Sequence, residues 1–373
     1  MSNHKARVIS LQPFYTGSHK QFIDGWISHS QLNWQQIALP GRHWKWRMRH
    51  AAIEFAQQFD SCWSDGERWD AILCTDMLNL AEFKGLLKTD AKKLPTIVYF
   101  HENQFEYPNQ QDQPRDLHFA FTNLTTALAA DAVWFNSDFN LQSLIHGIET
   151  GLKHWPDYPP LDAVEQIKSK SKVFYPGVSV PDNFAKPNLN DDKPLHIVWA
   201  GRWEHDKNPE RMLQILDGLD GKLDMKLSVI GEQFAEQPPA FEKIKSKFAT
   251  QIINWGYQED RDKYFSILHS ADLFLSSANH EFFGLSAVEA IACGCIPMLP
   301  DRLAYPELFN VTEFPERRCF LFDSVEDAVQ KIVQFSKMGF DDSICVQLFN
   351  DFRERFNWSH CASLMDLEIK SLV

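Results

Sequence analysis

Residues 278–297 read ANHEFFGLSAVEAIACGCIP and carry two glutamates in an otherwise apolar setting. Glu281 precedes two phenylalanines, and Glu289 lies in a run of alanine, valine and isoleucine that predicts the packed face of a helix. Burying a carboxylate among such side chains costs several kcal/mol unless another group hydrogen-bonds it. The partner is either a ligand, for which a ribose diol is well suited, or a neighbouring arginine.

The segments on either side of this stretch predict an α/β fold. Short apolar runs, such as DAILCT and PTIVYFH in the first half and HIVWAGR and LSVIGE in the second, alternate with helical patterns. Continuously apolar runs are typical of strands that are buried on both faces of a parallel sheet. Repeated alternation of strand and helix predicts doubly wound units.

The length of the chain predicts two domains. The 373 residues are too many for one ordinary core, and the Pro-, Asn- and Asp-rich residues 181–194 are typical of a linker. We therefore predict Rossmann-like domains at residues 1–185 and 186–373, with a last helix that can pack back on the first domain. Because ligands of such sheets bind outside the carboxyl ends of the strands, the two domains are expected to face one another across a cleft.

Composition excludes several classes of protein. The net charge of −13 argues against coating nucleic acid by bulk electrostatics. The first 60 residues, however, hold seven Lys/Arg and three Asp/Glu and sum to +4, so a polyanionic partner should prefer the first domain. No apolar run is long enough for a membrane span, the chain starts with no signal-peptide pattern, and the seven cysteines contain no CxxC pair. We expect a cytoplasmic protein with no membrane association and no metal site.

Candidate phosphate-binding groups follow two strands of the second domain. Arg202 and Lys207 come directly after the strand HIVWAG, and an arginine fork with a lysine point charge suits a diphosphate. The backbone amides of Gly284, Leu285 and Ser286 lie at a predicted helix start, which attracts anions. The alternative that Arg202 and Lys207 are solvated loop residues that bind no ligand remains open. Neither GxGxxG nor GxxxxGKS/T occurs, so the phosphate loops of dinucleotide oxidoreductases and P-loop NTPases are absent from the sequence.

These motifs in combination resemble the retaining glycosyltransferases of family four with the GT-B fold. The GR…KN pair is followed by E-x7-E and by AIACGCIPML. The resemblance implies a nucleotide-sugar donor bound without a metal, with Glu289 on the ribose and Glu281 at the sugar ring. The donor-binding residues expected from it and from the loop positions are Gly17, Ser18, Arg202, Lys207, Gly231, Trp255, Tyr257, Phe283, Gly284, Leu285 and Glu289.

A histidine of the first domain is a further catalytic candidate. His101 ends the strand IVYFH. A single histidine after a strand is more often a polar surface residue, but this one lies at a carboxyl end of the predicted sheet, and the family often has a histidine there beside the reacting sugar. The expected catalytic residues are Glu281, His101, Arg202 and Lys207.

The segment LPGRHWKWRMRHAA, residues 39–52, interleaves cations with indoles. This pattern suits unpaired nucleic acid, with cations on phosphates and rings stacked on bases. The alternative is the start of an amphipathic helix whose tryptophans pack inward and whose arginines are solvated.

Four blocks of the first domain, FYTGSHKQF, LPGRHWKWRMRHAA, YFHENQFEYP and VWFNSDFN, are similar to the tRNA-queuosine α-mannosyltransferase family. The similarity implies GDP-mannose as donor and queuosine in a tRNA anticodon loop as acceptor. The residues implied for the acceptor are His19, Lys20, Arg42, Trp44, Lys45, Trp46, Arg47, Arg49, Asn103 and Gln104. Two other readings stay open: a GT-B glycosyltransferase or epimerase with another nucleotide sugar and no RNA acceptor, and a non-catalytic RNA-binding protein. The sequence leaves the base, the hexose and the oligomeric state undecided.

Overall fold

The chain divides into two compact units, which are described separately. The structure, a computed structural model, describes residues 5–107, 116–152, 157–180, 193–234, 236–339 and 342–373. One unit comprises Met1–Gly177 together with Trp358–Val373, and the other comprises Val178–Asn357. The predicted boundary between residues 185 and 186 lies outside the described residues.

The first unit contains a six-stranded sheet with the order β2-β1-β3-β4-β5-β6, in which every paired strand is parallel. Its strands are β1 (Arg7–Tyr15), β2 (Asn33–Pro40), β3 (Ala71–Thr75), β4 (Thr96–Phe100), β5 (Ala132–Phe135) and β6 (Ser171–Val173). Its helices are α1 (Gly17–His29), α2 (Trp44–Ser64), α3 (Leu80–Leu86), α4 (Leu117–Ala129), α5 (Asp138–Leu152) and α6 (Ala163–Lys168).

The second unit repeats this architecture with the order β12-β11-β10-β7-β8-β9, again parallel at every pair. Its strands are β7 (Leu195–Ala200), β8 (Met225–Ile230), β9 (Ile252–Gly256), β10 (Leu273–Leu275), β11 (Ile296–Pro300) and β12 (Leu321–Phe322). Its helices are α7 (Pro209–Leu219), α8 (Ala240–Lys247), α9 (Arg261–Ser270), α10 (Leu285–Ala292), α11 (Tyr305–Leu308), α12 (Val325–Met338) and α13 (Asp342–Arg355).

The last helix, α14 (Trp358–Leu372), belongs to the first unit. Trp358 lies so close to α1 that a Cβ added to Gly25 would meet its ring at 2.2 Å. The carboxylate of Asp366 accepts hydrogen bonds from Trp26 Nε1 at 2.9 Å and from the Gln31 backbone amide at 2.6 Å. Because Asp366 is buried, these bonds fix the register of the helix against α1.

The predicted α/β class with two doubly wound sheets is confirmed. All five residues of β3 and all five of β4 are buried, as expected for strands covered by helices on both faces. The chain reverses its direction of strand addition between β1 and β3 in the first sheet and between β7 and β10 in the second. Ligands of doubly wound sheets bind at the carboxyl ends of the strands at such switch points, so these two edges position the candidate sites.

The described residues offer neither a membrane-spanning helix nor a metal-binding cluster. None of their helices is long and apolar enough to cross a membrane. They also contain no group of three or more His, Cys, Asp or Glu side chains placed to hold a metal ion.

Candidate functional site

Lys207 and Glu281 meet at the switch point of the second sheet. Lys207 ends a short 3-10 turn after β7, and Glu281 follows β10. The Lys207 Nζ atom lies 2.9 Å from Glu281 Oε2, 3.1 Å from Asp206 Oδ2 and 3.2 Å from the His280 carbonyl oxygen. Only 13% of the lysine side chain is exposed. The two carboxylates and the carbonyl therefore hold its ammonium group in one place.

The charge of Lys207 is secured by this arrangement. Burial lowers the pKa of Lys207, but the neighbouring charges of Glu281 and Asp206 more than offset that effect, and the pKa is raised overall. Burial also raises the pKa of Asp206, yet Lys207 and Arg202 outweigh it and the pKa is lowered overall. The site thus carries a permanent cation flanked by a carboxylate that stays ionised.

Arg202 differs from Lys207 in its exposure. Its side chain is 44% exposed, and its guanidinium lies 3.3 Å from Glu204 Oε2 in a surface ion pair. Such a pair contributes little to stability. Of the two cations, Arg202 is therefore the more accessible to an anion from solvent, and Lys207 is the more enclosed.

The predicted helix start is present and anchored to the sheet. Helix α10 begins at Leu285, and Gly284 before it has φ +93°, a left-handed conformation that favours glycine. The Ser286 hydroxyl donates to the Ala200 carbonyl at the end of β7 at 2.9 Å. The neighbouring Phe283 is buried. A first helical turn leaves amide groups without intrahelical acceptors. The backbone amides at the start of α10 can therefore bind an anion beside β7.

Glu289 is satisfied by protein groups, which is the second of the two alternatives that the sequence left open. Its Oε1 accepts from Arg261 NH2 at 2.7 Å, and its Oε2 accepts from the Tyr264 hydroxyl at 2.7 Å. Its side chain is 3% exposed. A ligand is thus not needed to explain the burial of this carboxylate. Each carboxylate oxygen has further acceptor capacity, so ribose binding by Glu289 stays a prediction.

Three of the residues predicted to bind the donor, Gly231, Trp255 and Tyr257, lie at the ends of β8 and β9. Gly231 has φ +143°, and a Cβ there would come within 1.8 Å of the Gly201 carbonyl oxygen, so only glycine fits. Trp255 packs edge-on against Trp203, with ring centroids 4.8 Å apart. Tyr257 is 61% exposed. Of these three, Tyr257 offers the most free surface to a ligand.

In the first unit, the loop after β1 presents the residues predicted for phosphate. Gly17 opens α1 with φ +50°, and the space where a Cβ would lie is open. Gly17 and Ser18 are both exposed. Lys20, also exposed, pairs with Asp24, whose hydrogen bond is the main cause of a raised lysine pKa. His19 instead points inward and is buried.

His101 lies at the carboxyl end of β4 beside His19, with ring centroids 4.2 Å apart. Its backbone amide donates to Asp76 Oδ1 at 2.8 Å, and its buried Nε2 has no hydrogen-bond partner. Burial, with a smaller contribution from His19, holds the pKa of His101 well below its ordinary value. The ring is therefore neutral near pH 7 and can donate or accept a hydrogen bond without carrying charge.

Sequence reasoning missed Asp76, Arg261 and Tyr264. Asp76 follows β3 at the switch point of the first sheet and is buried, and burial raises the pKa of its carboxyl well above the ordinary value. The available signal was an acid placed directly after the apolar run DAILCT. No comparable signal marks Arg261 and Tyr264, because their partner Glu289 lies on another helix.

The side chains of residues 39–52, the segment that interleaves cations with indoles, are divided between the interior and the surface. Trp44 packs against Phe119, with ring centroids 5.3 Å apart. Trp46 is 58% exposed, and its ring stacks on His50 at 5.2 Å and 19°. The segment's exposed cations are Arg42, Lys45 and Arg49, and Arg47 is half-buried with its Nε donating to the Pro40 carbonyl. The inward alternative thus holds for Trp44, while Trp46 exposes much of its ring.

Asn103 and Gln104, which were predicted to contact the acceptor, are both buried. Asn103 is 0% exposed, and its side-chain nitrogen donates to Asn140 Oδ1 at 2.9 Å and to Ser143 Oγ at 2.8 Å. The backbone amide of Gln104 donates to Asn123 Oδ1 at 2.7 Å. In this structure the Asn103 amide fixes the loop after β4 and has no surface for an acceptor.

Comparison with known sequences covers nearly the whole chain. Residues 7–178 match the family described as tRNA-queuosine alpha-mannosyltransferase N-terminal, and residues 180–346 match Glycosyl transferases group 1. The chain is 34% identical over 352 residues to the tRNA-queuosine alpha-mannosyltransferase of Drosophila melanogaster, which covers 91% of this chain and 89% of that protein. It is 33% identical over 144 residues to the GDP-mannose-dependent alpha-(1-6)-phosphatidylinositol dimannoside mannosyltransferase of Mycobacterium tuberculosis, covering 37% and 35% of the two chains.

Solved structures show the same fold over the full length. Sucrose-phosphate synthase from Thermosynechococcus elongatus superposes with a TM-score of 0.69 at 14% identity, covering 99% of each chain. The N-terminal domain of Candida albicans trehalose-6-phosphate phosphatase gives 0.68 at 13% identity, covering 100% of this chain and 98% of that one. With its two parallel six-stranded sheets, the chain has the GT-B fold.

Proposed function

This chain belongs to the tRNA-queuosine alpha-mannosyltransferase family and is a glycosyltransferase, and on that premise we propose that it transfers mannose from GDP-mannose to queuosine in a tRNA anticodon loop. The observation that carries the proposal is the 34% identity to the Drosophila protein over 91% of the chain. The name of the mycobacterial relative, which is GDP-mannose-dependent, supports the choice of donor. We also propose a cytoplasmic location, which a tRNA acceptor supports.

The donor site is proposed in the second unit. Arg202, Lys207 and the start of α10 lie at the ends of β7 and β10 and supply positive charge for a diphosphate. In a retaining transfer the bond from the anomeric carbon to the β-phosphate oxygen breaks, and a bond to the acceptor oxygen forms on the same face. The leaving oxygen takes the acceptor's proton. The three groups stabilise the negative charge that grows on the diphosphate, so no metal is required for that step.

Lys207 and Glu281 are proposed to have complementary roles in the transition state. The positive charge of Lys207 is fixed 2.9 Å from Glu281 Oε2. Negative charge develops on the diphosphate and positive charge on the sugar ring in an oxocarbenium-like transition state. Lys207 is proposed to stabilise the first charge, and Glu281 is proposed to orient the sugar and stabilise the second.

The acceptor surface is proposed on α2 of the first unit. Trp46 offers an exposed ring of the kind on which an unpaired base stacks. Arg42, Lys45 and Arg49 are exposed in the same segment and supply cations suited to phosphates. This local patch explains how a chain of net charge −13 can bind RNA.

The decisive experiment is mass spectrometry of nucleosides from queuosine-containing tRNA after incubation with the protein and GDP-mannose. The proposal predicts that queuosine gains the mass of one hexose. The same tRNA lacking queuosine is the acceptor control, and UDP-glucose is the donor control. Hexose-modified queuosine formed only from another nucleotide sugar would refute the donor. Release of free mannose with unmodified tRNA would refute the acceptor and favour the alternative enzyme class.

A further inference from the structure

Arg261 lies between the loop that follows β9 and the carboxylate of Glu289. It is the first residue of α9, and its NH2 donates to Glu289 Oε1 at 2.7 Å. Its guanidinium carbon lies 5.0 Å from the Tyr264 ring centroid and 4.6 Å from that of Phe265. Tyr257, exposed in the loop after β9, lies near enough to affect the pKa of Arg261.

The position of Arg261 is unfavourable for the helix that carries it. The first turn of a helix has a positive end of the macrodipole, so a cation there is disfavoured, whereas an acid is favoured. The turn already has its own stabilising group, because Asp260 accepts from the backbone amides of Asp262 at 2.8 Å and Lys263 at 3.5 Å. Helix formation therefore does not explain an arginine at this point.

The two donors fix Glu289 from opposite oxygens. Arg261 holds Oε1, and the Tyr264 hydroxyl holds Oε2 at 2.7 Å. Burial raises the pKa of Tyr264 well above its ordinary value, and the charge of Glu289 raises it further, so the phenol keeps the proton that it donates. A carboxylate held at both oxygens has one orientation, and a carboxylate has about four acceptor positions in all.

The exposure of the pair is asymmetric. The Arg261 side chain is 49% exposed, whereas that of Glu289 is 3% exposed. Arg261 is thus the solvent-facing member of the pair, and Glu289 is the buried one.

We propose that Arg261 is a positioning residue for the donor nucleotide: together with Tyr264 it holds the Glu289 carboxylate ready to accept hydrogen bonds from both ribose hydroxyls. The inference rests on the proposed function and on the prediction that Glu289 binds the ribose of the donor. It adds two residues of α9 to that site and gives each a separate part. Arg261 supplies charge and orientation, and Tyr264 supplies a neutral hydrogen bond.

The test is calorimetric binding of GDP and of 2′,3′-dideoxy-GDP to the full chain and its variants. In the wild type, removing the two hydroxyls should weaken binding about 10- to 100-fold, because a charged acceptor loses its donors. In Arg261→Ala, GDP binding should weaken by about tenfold or more, while the dideoxy analogue should bind almost as it does to the wild type. The difference in affinity between GDP and the dideoxy analogue would then nearly vanish in Arg261→Ala. A purely structural role of Arg261 would not produce that result.

Two further variants keep the proposal testable if Arg261→Ala fails to fold. Arg261→Lys retains the charge over the aromatic rings and should restore part of the penalty for lost hydroxyls. Tyr264→Phe retains the ring and should reduce that penalty to a smaller extent. Arg68→Ala is the matched control, since Arg68 also lies over an aromatic ring, 4.3 Å from Trp63, but is in the first unit.

The possible outcomes distinguish a failure of the donor proposal from a failure of the positioning role of Arg261. If the wild type does not bind GDP, the donor proposal and this inference fail together. If the wild type binds GDP and the Arg261 variants weaken GDP and the dideoxy analogue equally, the donor proposal stands and the positioning role of Arg261 is refuted. Unchanged GDP binding in folded Arg261→Ala refutes it as well.

Discussion

The Nζ atom of Lys207 lies 2.9 Å from Glu281 Oε2, although 74 residues separate them in the chain. Their contact joins the loop after β7 to the loop after β10 across the switch point of the second sheet. The backbone amides of Asn279 and His280 both donate to the Asp206 carbonyl and hold the two loops together. The cation proposed for the diphosphate and the acid proposed for the sugar are thus held next to each other by contacts between the two loops.

Replacing Arg202 should separate catalysis from stability. Arg202 is 44% exposed and forms a surface ion pair with Glu204, so Arg202→Ala should leave the melting temperature within about 1 °C. If it stabilises charge on the leaving diphosphate, kcat should fall about 100-fold or more. Steady-state mannosyl transfer and calorimetric melting test this together. Near-normal turnover would remove Arg202 from the site.

Replacing Lys207 should affect both properties. Lys207→Ala would leave Glu281 and Asp206 as partly buried carboxylates without their cation, which typically destabilises a protein by about 3–5 kcal/mol. We therefore expect loss of turnover with a clear fall in the free energy of unfolding. The control is Lys247→Ala, which breaks an exposed ion pair with Asp217. Equal stability of the two variants would contradict the geometry.

The buried imidazole of His101 should make stability depend on pH. Its pKa in the folded chain lies well below the ordinary value because of burial, so the unfolded chain takes up a proton first as pH falls. Stability is fully present above about pH 6.5 and is lost below it, by about 1.4 kcal/mol per pH unit for one such proton. His101→Asn should flatten the decline of the unfolding free energy between about pH 6.5 and 5. His118→Asn, at the exposed start of α4, is the control, and an unchanged slope in His101→Asn would contradict the assignment.

Trp46 and Trp44 should respond in opposite ways. Trp46→Ala removes an exposed ring and should weaken tRNA binding about 5- to 150-fold with little change in melting temperature. Trp44→Ala removes a ring packed on Phe119 and should lower the melting temperature. Fluorescence anisotropy with an anticodon stem–loop gives the affinities. Wild-type affinity in the Trp46 variant would show that the acceptor binds elsewhere.

The cations beside Trp46 should determine the salt dependence of RNA binding. Lys45 and Arg49 are both exposed on α2. If each contacts a phosphate of the single-stranded loop, removing both should reduce the slope of log K against log salt by about 1.4. The measurement is a salt titration of tRNA affinity for the double alanine variant, with Lys247→Ala as control. A slope equal to that of the wild type would place the phosphates away from α2.

The sequence predicted the fold class because buried parallel strands leave continuous apolar runs, as in β3 and β4. It also placed Arg202, Lys207, Glu281 and the start of α10 after strands, since those positions follow from local pattern. It could not identify the partner of Glu289, because Arg261 lies 28 residues away on a different helix and only the packing of α9 against α10 brings them together. Likewise, nothing local distinguishes an exposed Gln or Asn from Asn103, which is held by Asn140 and Ser143.

The most direct test of the donor site is a crystal structure of the protein with GDP. We predict that the two phosphates contact Arg202, Lys207 and the backbone amides at the start of α10, and that the ribose hydroxyls donate to Glu289. GDP bound at any place where it contacts neither Lys207 nor Glu289 would contradict the account.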